Sequence, residues 1–139
     1  MFSFDVPVRV RYADTDQMGY VYYGNYARYF EIGRVEALRS LGISYKELED
    51  QGVMMPVLEN YSKFLRPARY DDLLSIRVMI KEKPGTRIRF DYEITNPEGN
   101  LIHIGHTVLV FVSVETKKVV PFPELIKGAI ESFFEKSES

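Results

Sequence analysis

Over the first twelve positions apolar and polar residues alternate. Phe4, Val6, Val8, Val10 and Tyr12 interleave with Asp5, Pro7, Arg9 and Arg11, the period of a half-buried strand whose apolar face leads to Asp14 and Asp16. From residue 24 to 41 the period lengthens. Tyr26, Tyr29, Phe30, Gly33, Ala37 and Leu41 share one side of a helix, and Ile32, Val35 and Leu38 add apolar surface elsewhere, so this helix is expected to be more enclosed than a surface one and to stop at Gly42. Residues 44–51 begin with a serine cap and carry Glu47 three positions on, the pattern of a short helix ended by Gly52.

Strands follow. Residues 53–64 alternate weakly and contain Pro56, which predicts an edge position or a bulge. Leu74, Ile76, Val78 and Ile80 predict a second strand, and Ile88, Phe90, Tyr92 and Ile94 a third. Ile102, Ile104, Val108, Val110, Val112 and Val114 predict a long fourth. Residues 83–85 (KPG) and 96–100 (NPEGN) are turn sequences, and residues 123–136 predict a last helix. One strand, a long helix and a meander of antiparallel strands define an α+β domain over residues 1–139, in which a sheet can wrap the helix.

Composition narrows the function. With 45% hydrophobic and 27% charged residues the chain is globular, and a net charge of −2 provides no broad footprint for nucleic acid, so a phosphorylated ligand would need a local basic cluster. There is no cysteine, which removes disulfides, thiolate catalysis and cysteine-bound metals. The start, MFSFDVPVRV, lacks the basic flank of a secretory signal, and the longest apolar run, residues 108–112, is far short of a membrane span. A soluble cytoplasmic protein is the expectation.

Candidate chemistry concentrates in residues 12–26, YADTDQMGYVYYGNY. A carboxylate, Asp16, precedes a glycine turn and a helix start. Such a start offers unpaired N–H groups that can hold a carbonyl oxygen as it gains charge, while the carboxylate attacks or activates water. By residue type alone, Asp14 and Asp16 could equally cap turns. Gly19 permits a positive φ or close backbone approach, and Asn25 could cap the helix or orient Asp16. Glu31 is a rival carboxylate, or an ion-pair partner of Arg28 or Arg34. His103 falls on the polar parity of its strand and His106 on the apolar parity, with no second ligand at metal spacing.

Asp14-Thr15-Asp16, Gly19, Val21-Tyr22-Tyr23, Asn25-Tyr26, Tyr29-Phe30-Glu31 and Arg34 resemble the signature of hotdog-fold acyl-CoA thioesterases, in particular 4-hydroxybenzoyl-CoA thioesterase and its Tol-Pal-associated relatives. Residues 64–72, FLRPARYDD, are a looser second match, and with the order of elements the resemblance covers nearly the whole chain. It implies a hotdog fold and hydrolysis of acyl-CoA without metal or cofactor. Asp16, the second acid of the motif, would be nucleophile or general base, the amide near Tyr23 would polarise the carbonyl, and Asp14 would be structural. Tol-Pal-associated members usually carry His where this chain has Tyr23, so no imidazole is available there.

The resemblance makes Gly19, Tyr22, Asn25 and Arg87 the substrate-side candidates. Arg87 is drawn from a set with Arg66, Arg69, Lys81, Lys83 and Arg89 that could meet coenzyme A phosphates. Tyr20, Tyr22, Tyr23, Tyr26, Tyr29 and Phe30 could line an acyl pocket or simply form core. A homodimer or homotetramer is implied, with sheets joined at their edges. The rival readings are a hotdog hydratase or dehydratase, which usually needs a His near the helix start, and a non-catalytic acyl-thioester-binding or scaffold protein.

Overall fold

The alternating segments pair into one antiparallel sheet in the computed structural model, which describes residues 1–134. β1 (Phe2–Arg9) lies along β4 (Leu73–Ile80), followed by β5 (Arg87–Thr95), β6 (Leu101–Val110) and β3 (Val57–Phe64), giving the order β1-β4-β5-β6-β3. α1 (Tyr26–Ser40) packs on one face, α2 (Tyr45–Asp50) follows it, and α3 (Glu124–Ile130) comes last. The architecture is α+β, as the periodicity predicts. α1 closes where expected, with Ile43 N donating to Leu38 O at 3.0 Å, and Ser44 Oγ caps α2 by accepting from Glu47 N at 3.1 Å.

The core fills the space between α1 and the sheet. Tyr29, Phe30, Ala37 and Leu38 from the helix meet Leu74, Ile76, Val78 and Ile80 of β4 and Ile88, Phe90, Tyr92 and Ile94 of β5. Phe30 stacks on Tyr92 with ring centroids 4.2 Å apart. Leu38 takes the core place expected of Leu41, and Arg34 is buried on the same helix.

Four expectations are corrected. The strand over residues 53–64 is two strands, β2 (Val53–Met54) and β3, separated at Pro56, which has no N–H to give to a ladder; β3 is an edge strand with a register shift between Val57 and Glu59. The long fourth strand breaks at Phe111, which is fully buried, and β7 (Val112–Ser113) pairs with β2. The parity of β6 is reversed from His103 onward: pairing sets His103 opposite Ile94, Gly105 opposite Tyr92, Thr107 opposite Phe90 and Leu109 opposite Ile88, so these odd positions face the helix, while Ile102, beside a register shift, is in the core as expected. His103 is therefore on the core face and His106 on the outer one. The last helix ends earlier than predicted, with one 3₁₀ turn (Glu131–Phe133) after α3, and its final positions lie outside the described residues.

Gly105 explains the reversal. A Cβ there would lie 2.3 Å from the Tyr61 carbonyl oxygen and 2.5 Å from Phe30 Cζ, so only glycine admits the helix ring against β6.

Candidate active site

Between β1 and α1 the chain forms a loop held by one buried carboxylate. Asp14 is 5% exposed; Oδ2 accepts from Arg11 N at 2.9 Å and from the Tyr29 hydroxyl at 2.9 Å, and Oδ1 is paired with Arg28. Burial, then the bond to Asp14, pushes the Tyr29 hydroxyl pKa up, so it remains a donor. The Asp14 carbonyl accepts from Tyr22 N at 2.9 Å and from Asn25 Nδ2 at 2.8 Å. Asn25 thus makes no side-chain cap on α1; it ties the two ends of the loop together.

The two quoted motifs meet here. Val21 N donates to Ala68 O at 2.9 Å, Tyr20 bridges to Arg69, and Tyr70 N lies 3.4 Å from Gly19 O. Residues 64–72 therefore buttress the loop from below.

Asp16 sits at the exposed tip of that loop. Its Oδ1 accepts from Met18 N at 2.9 Å and Tyr20 N at 3.2 Å, and its carbonyl accepts from Gly19 N at 3.0 Å. Gly19 has φ +78°, a left-handed conformation that this turn requires, with nothing within 4 Å of the place a Cβ would take. One carboxylate oxygen thus serves the turn, and among the described residues no donor reaches Oδ2. At the other end of the loop a 3₁₀ turn (Tyr23–Asn25) leads into α1. Asn25 N donates to Tyr22 O, while the amides of Tyr23 and Gly24, first in that turn, donate to no backbone carbonyl among the described residues. The loop therefore presents a free carboxylate oxygen and two free N–H groups.

The remaining candidates separate. Tyr22 and Tyr23 are exposed and touch with ring centroids 4.6 Å apart and planes tilted by 40°, whereas Tyr26, Tyr29 and Phe30 are core. Glu31 is exposed and makes neither expected ion pair, since Arg28 goes to Asp14 and Arg34 donates from Nε to the Tyr45 hydroxyl at 3.2 Å. Arg87 stands apart. It opens β5 opposite Val110 on the outer face, whereas the loop is tied to the far end of β6, where Leu65 N and Arg66 N both donate to Ile102 O. Arg66, Arg69, Lys81, Lys83 and Arg89 are all exposed. Arg69 lies over the Tyr20 ring at 5.7 Å, and Arg89 pairs with Asp91 at 3.1 Å.

Neither histidine is in the loop. His103 is fully buried, stacked on Tyr26 at 3.9 Å, with Nε2 3.0 Å from Ser62 Oγ and Nδ1 without a partner among the described residues; burial lowers its pKa to about 4. His106 Nε2 lies 2.9 Å from Glu59 on the outer sheet face. Among the described residues no three His, Asp or Glu side chains gather as a metal site would require.

A groove of about 550 Å³ runs from the helix start along α1, between it and β3, and is lined by Gly24, Ala27, Arg28, Glu31, Arg34, Val57, Asn60 and Thr107. Sequence reasoning missed it. Residues 24, 27, 28, 31 and 34 form a second, more polar stripe at helical spacing beside the apolar one, and that stripe was its only sequence signal.

Residues 10–130 match the family model of the thioesterase-like superfamily. The chain is 34% identical over 120 residues to acyl-CoA thioester hydrolase YbgC of Escherichia coli O6:H1, which covers 86% of this chain and 90% of that one. It is 32% identical over 130 residues to acyl-CoA thioesterase YbgC of Haemophilus influenzae, covering 91% and 93%. Among solved structures it is similar to DHNA-CoA thioesterase from Staphylococcus aureus, with a TM-score of 0.91 at 27% identity over 100% of this chain and 97% of that one. The chain belongs to the thioesterase-like superfamily and is a hotdog-fold thioesterase. Among the described residues no helix is long and apolar enough to cross a membrane.

Proposed function

We propose that this chain hydrolyses acyl-CoA thioesters to a free acid and coenzyme A, with Asp16 as nucleophile or general base and the Tyr23 amide as the donor that polarises the carbonyl. The observation that carries the reading is the loop itself, which offers an unbonded carboxylate oxygen at one end and undonated amides at a helix start at the other. As a base, Asp16 removes a proton from water as the new O–C bond forms. The thioester oxygen takes up negative charge facing the Tyr23 and Gly24 amides, and collapse breaks the C–S bond, the proton passing to the departing sulfur. As a nucleophile, Asp16 adds to the thioester carbonyl and the C–S bond breaks, giving an anhydride and the coenzyme A thiolate; water then opens the anhydride to the free acid and the Asp16 carboxylate, and its proton leaves with the thiol.

Gly19 gives the Asp16 turn its shape, Tyr22 lies beside the helix start, and Asn25 fixes the distance across the loop. Arg87 could meet coenzyme A only from a second subunit, because within one chain it lies at the other end of the sheet. That geometry accords with a homodimer or a pair of dimers. β3 ends the sheet, so its outer edge has no partner strand among the described residues, and Val57, Leu58, Tyr61 and Phe64 are exposed along it.

The reading is tested by assaying free thiol release from short, long and aromatic acyl-CoAs. Turnover of at least one class above the uncatalysed rate is expected. Binding of the panel without thiol release from any member would overturn hydrolysis in favour of a non-catalytic acyl-thioester-binding protein.

A further inference from the structure

The groove beside α1 holds hydrogen-bonding capacity that the hydrolytic loop does not use. Arg34 lines it at 7% exposure. Its Nε donates to the Tyr45 hydroxyl at 3.2 Å, the Tyr92 hydroxyl lies close to it, and no carboxylate among the described residues pairs with the guanidinium. The Tyr92 ring is buried against Phe30, and its hydroxyl is buried close to Arg34 and Thr107 with no hydrogen bond of ordinary geometry among the described residues. At the lip, Asn60 accepts through Oδ1 from Thr107 Oγ1 at 3.0 Å, which leaves its amino group free.

What remains unused is rich in donors: a guanidinium, a phenol O–H and an amide NH₂. A guanidinium taken out of water without an anion is unfavourable. Burial works against the charge of Arg34, but the neighbouring Tyr92 and Tyr45 hydroxyls work for it and prevail, so it stays charged. A carboxylate answers this arrangement best, because it only accepts, can take two N–H bonds in parallel from a guanidinium, and supplies the missing charge. Glu31 lies on the same groove one turn earlier, but it is exposed and its repulsion is screened, whereas Arg34 acts at short range with less intervening water.

We propose that the Arg34, Tyr92 and Asn60 donors bind a carboxylate borne by the acyl group, so that CoA thioesters of dicarboxylic acids are the preferred substrates. This rests on the thioesterase reading above. Arg34 lies ten positions after Gly24, about 15 Å along the 3₁₀ turn and α1. The arginine side chain leans back toward the helix start, leaving a span on the order of 10 Å from the polarising amides. That span suits diacids of medium length rather than malonyl or succinyl groups.

The test compares kcat/KM for matched monoacid and diacid CoA thioesters, from pentanoyl and glutaryl through octanoyl and suberoyl to decanoyl and sebacoyl. It is made on the wild type and on Arg34→Lys, Tyr92→Phe and Asn60→Leu. The wild type is expected to prefer the diacid by about tenfold or more in the best pair, the size of a charge-assisted bidentate contact. That preference is expected to fall to near unity in Arg34→Lys and several-fold in the other two. A merely structural role would depress both members of a pair alike and leave their ratio unchanged. A wild-type ratio at or below one in every pair, with the monoacids turned over, overturns the proposal and leaves the thioesterase reading standing. A diacid preference that persists in all three variants also overturns it. Thiol release from none of the thioesters, aromatic ones included, overturns the thioesterase reading and this proposal with it.

Discussion

Asp14 and Asp16 are two residues apart and differ in every physical respect. Asp14 is buried and accepts from Arg11 N, the Tyr29 hydroxyl and Arg28, so it holds the loop; Asp16 is exposed and, among the described residues, keeps one oxygen free to react. The contrast was legible only through the motif, because both readings of an aspartate before a turn share one residue type. The partner of Asn25 was not legible at all, since a side-chain bond to a carbonyl eleven residues away depends on how the loop closes. His103 has a consequence for stability. Its folded pKa of about 4 lies below the ordinary 6.5, so between those values the unfolded chain binds a proton that the native one refuses. Its contribution is therefore intact above about pH 6.5 and is lost as pH falls toward 4, by on the order of 2–3 kcal/mol. Urea unfolding at pH 7 and pH 4.5 is expected to show a smaller loss of stability in His103→Gln than in the wild type. Equal losses would place the acid sensitivity elsewhere.

At the scale of elements, helices and the inner strands β4 and β5 could be read from periodicity because their core residues are large and aliphatic or aromatic. β6 could not. From 103 to 109 its helix-facing positions are His103, Gly105, Thr107 and Leu109, while Ile104 and Val108 occupy the outer face, so over that stretch hydrophobicity pointed to the wrong side. The bulk missing from that inner face comes from Phe30, which uses the room left by Gly105, and from Tyr26, which stacks on His103. Gly105→Ala is expected to cost about 3 kcal/mol or more, or to prevent folding, because the obstacles include a backbone carbonyl. Gly85→Ala, with nothing within 4 Å of its Cβ, should change stability by about 0.5 kcal/mol or less. Similar melting temperatures for the two variants would contradict this account of how the helix seats on the sheet.

For the whole molecule, the order of elements in the sequence already implied a sheet around a helix, but strand order and the groove depend on long-range pairing that no local pattern records. The unpartnered β3 edge, with its exposed apolar residues, is expected to make the chain a dimer or tetramer. Light scattering should give a mass of at least twice 16.2 kDa at assay concentration, and a fully active monomer would remove the case for a site completed between subunits. Whether Asp16 performs the hydrolysis is measured most directly by the turnover of Asp16→Asn on the best acyl-CoA of the panel. The asparagine retains Oδ1 for the Met18 and Tyr20 amides, so the turn and the fold should survive the change. A fall in kcat of roughly two to four orders of magnitude, beside a much smaller effect of Glu31→Gln, is the expected result. Near-normal turnover in Asp16→Asn together with an inactive Glu31→Gln would contradict it and move the chemistry onto the helix.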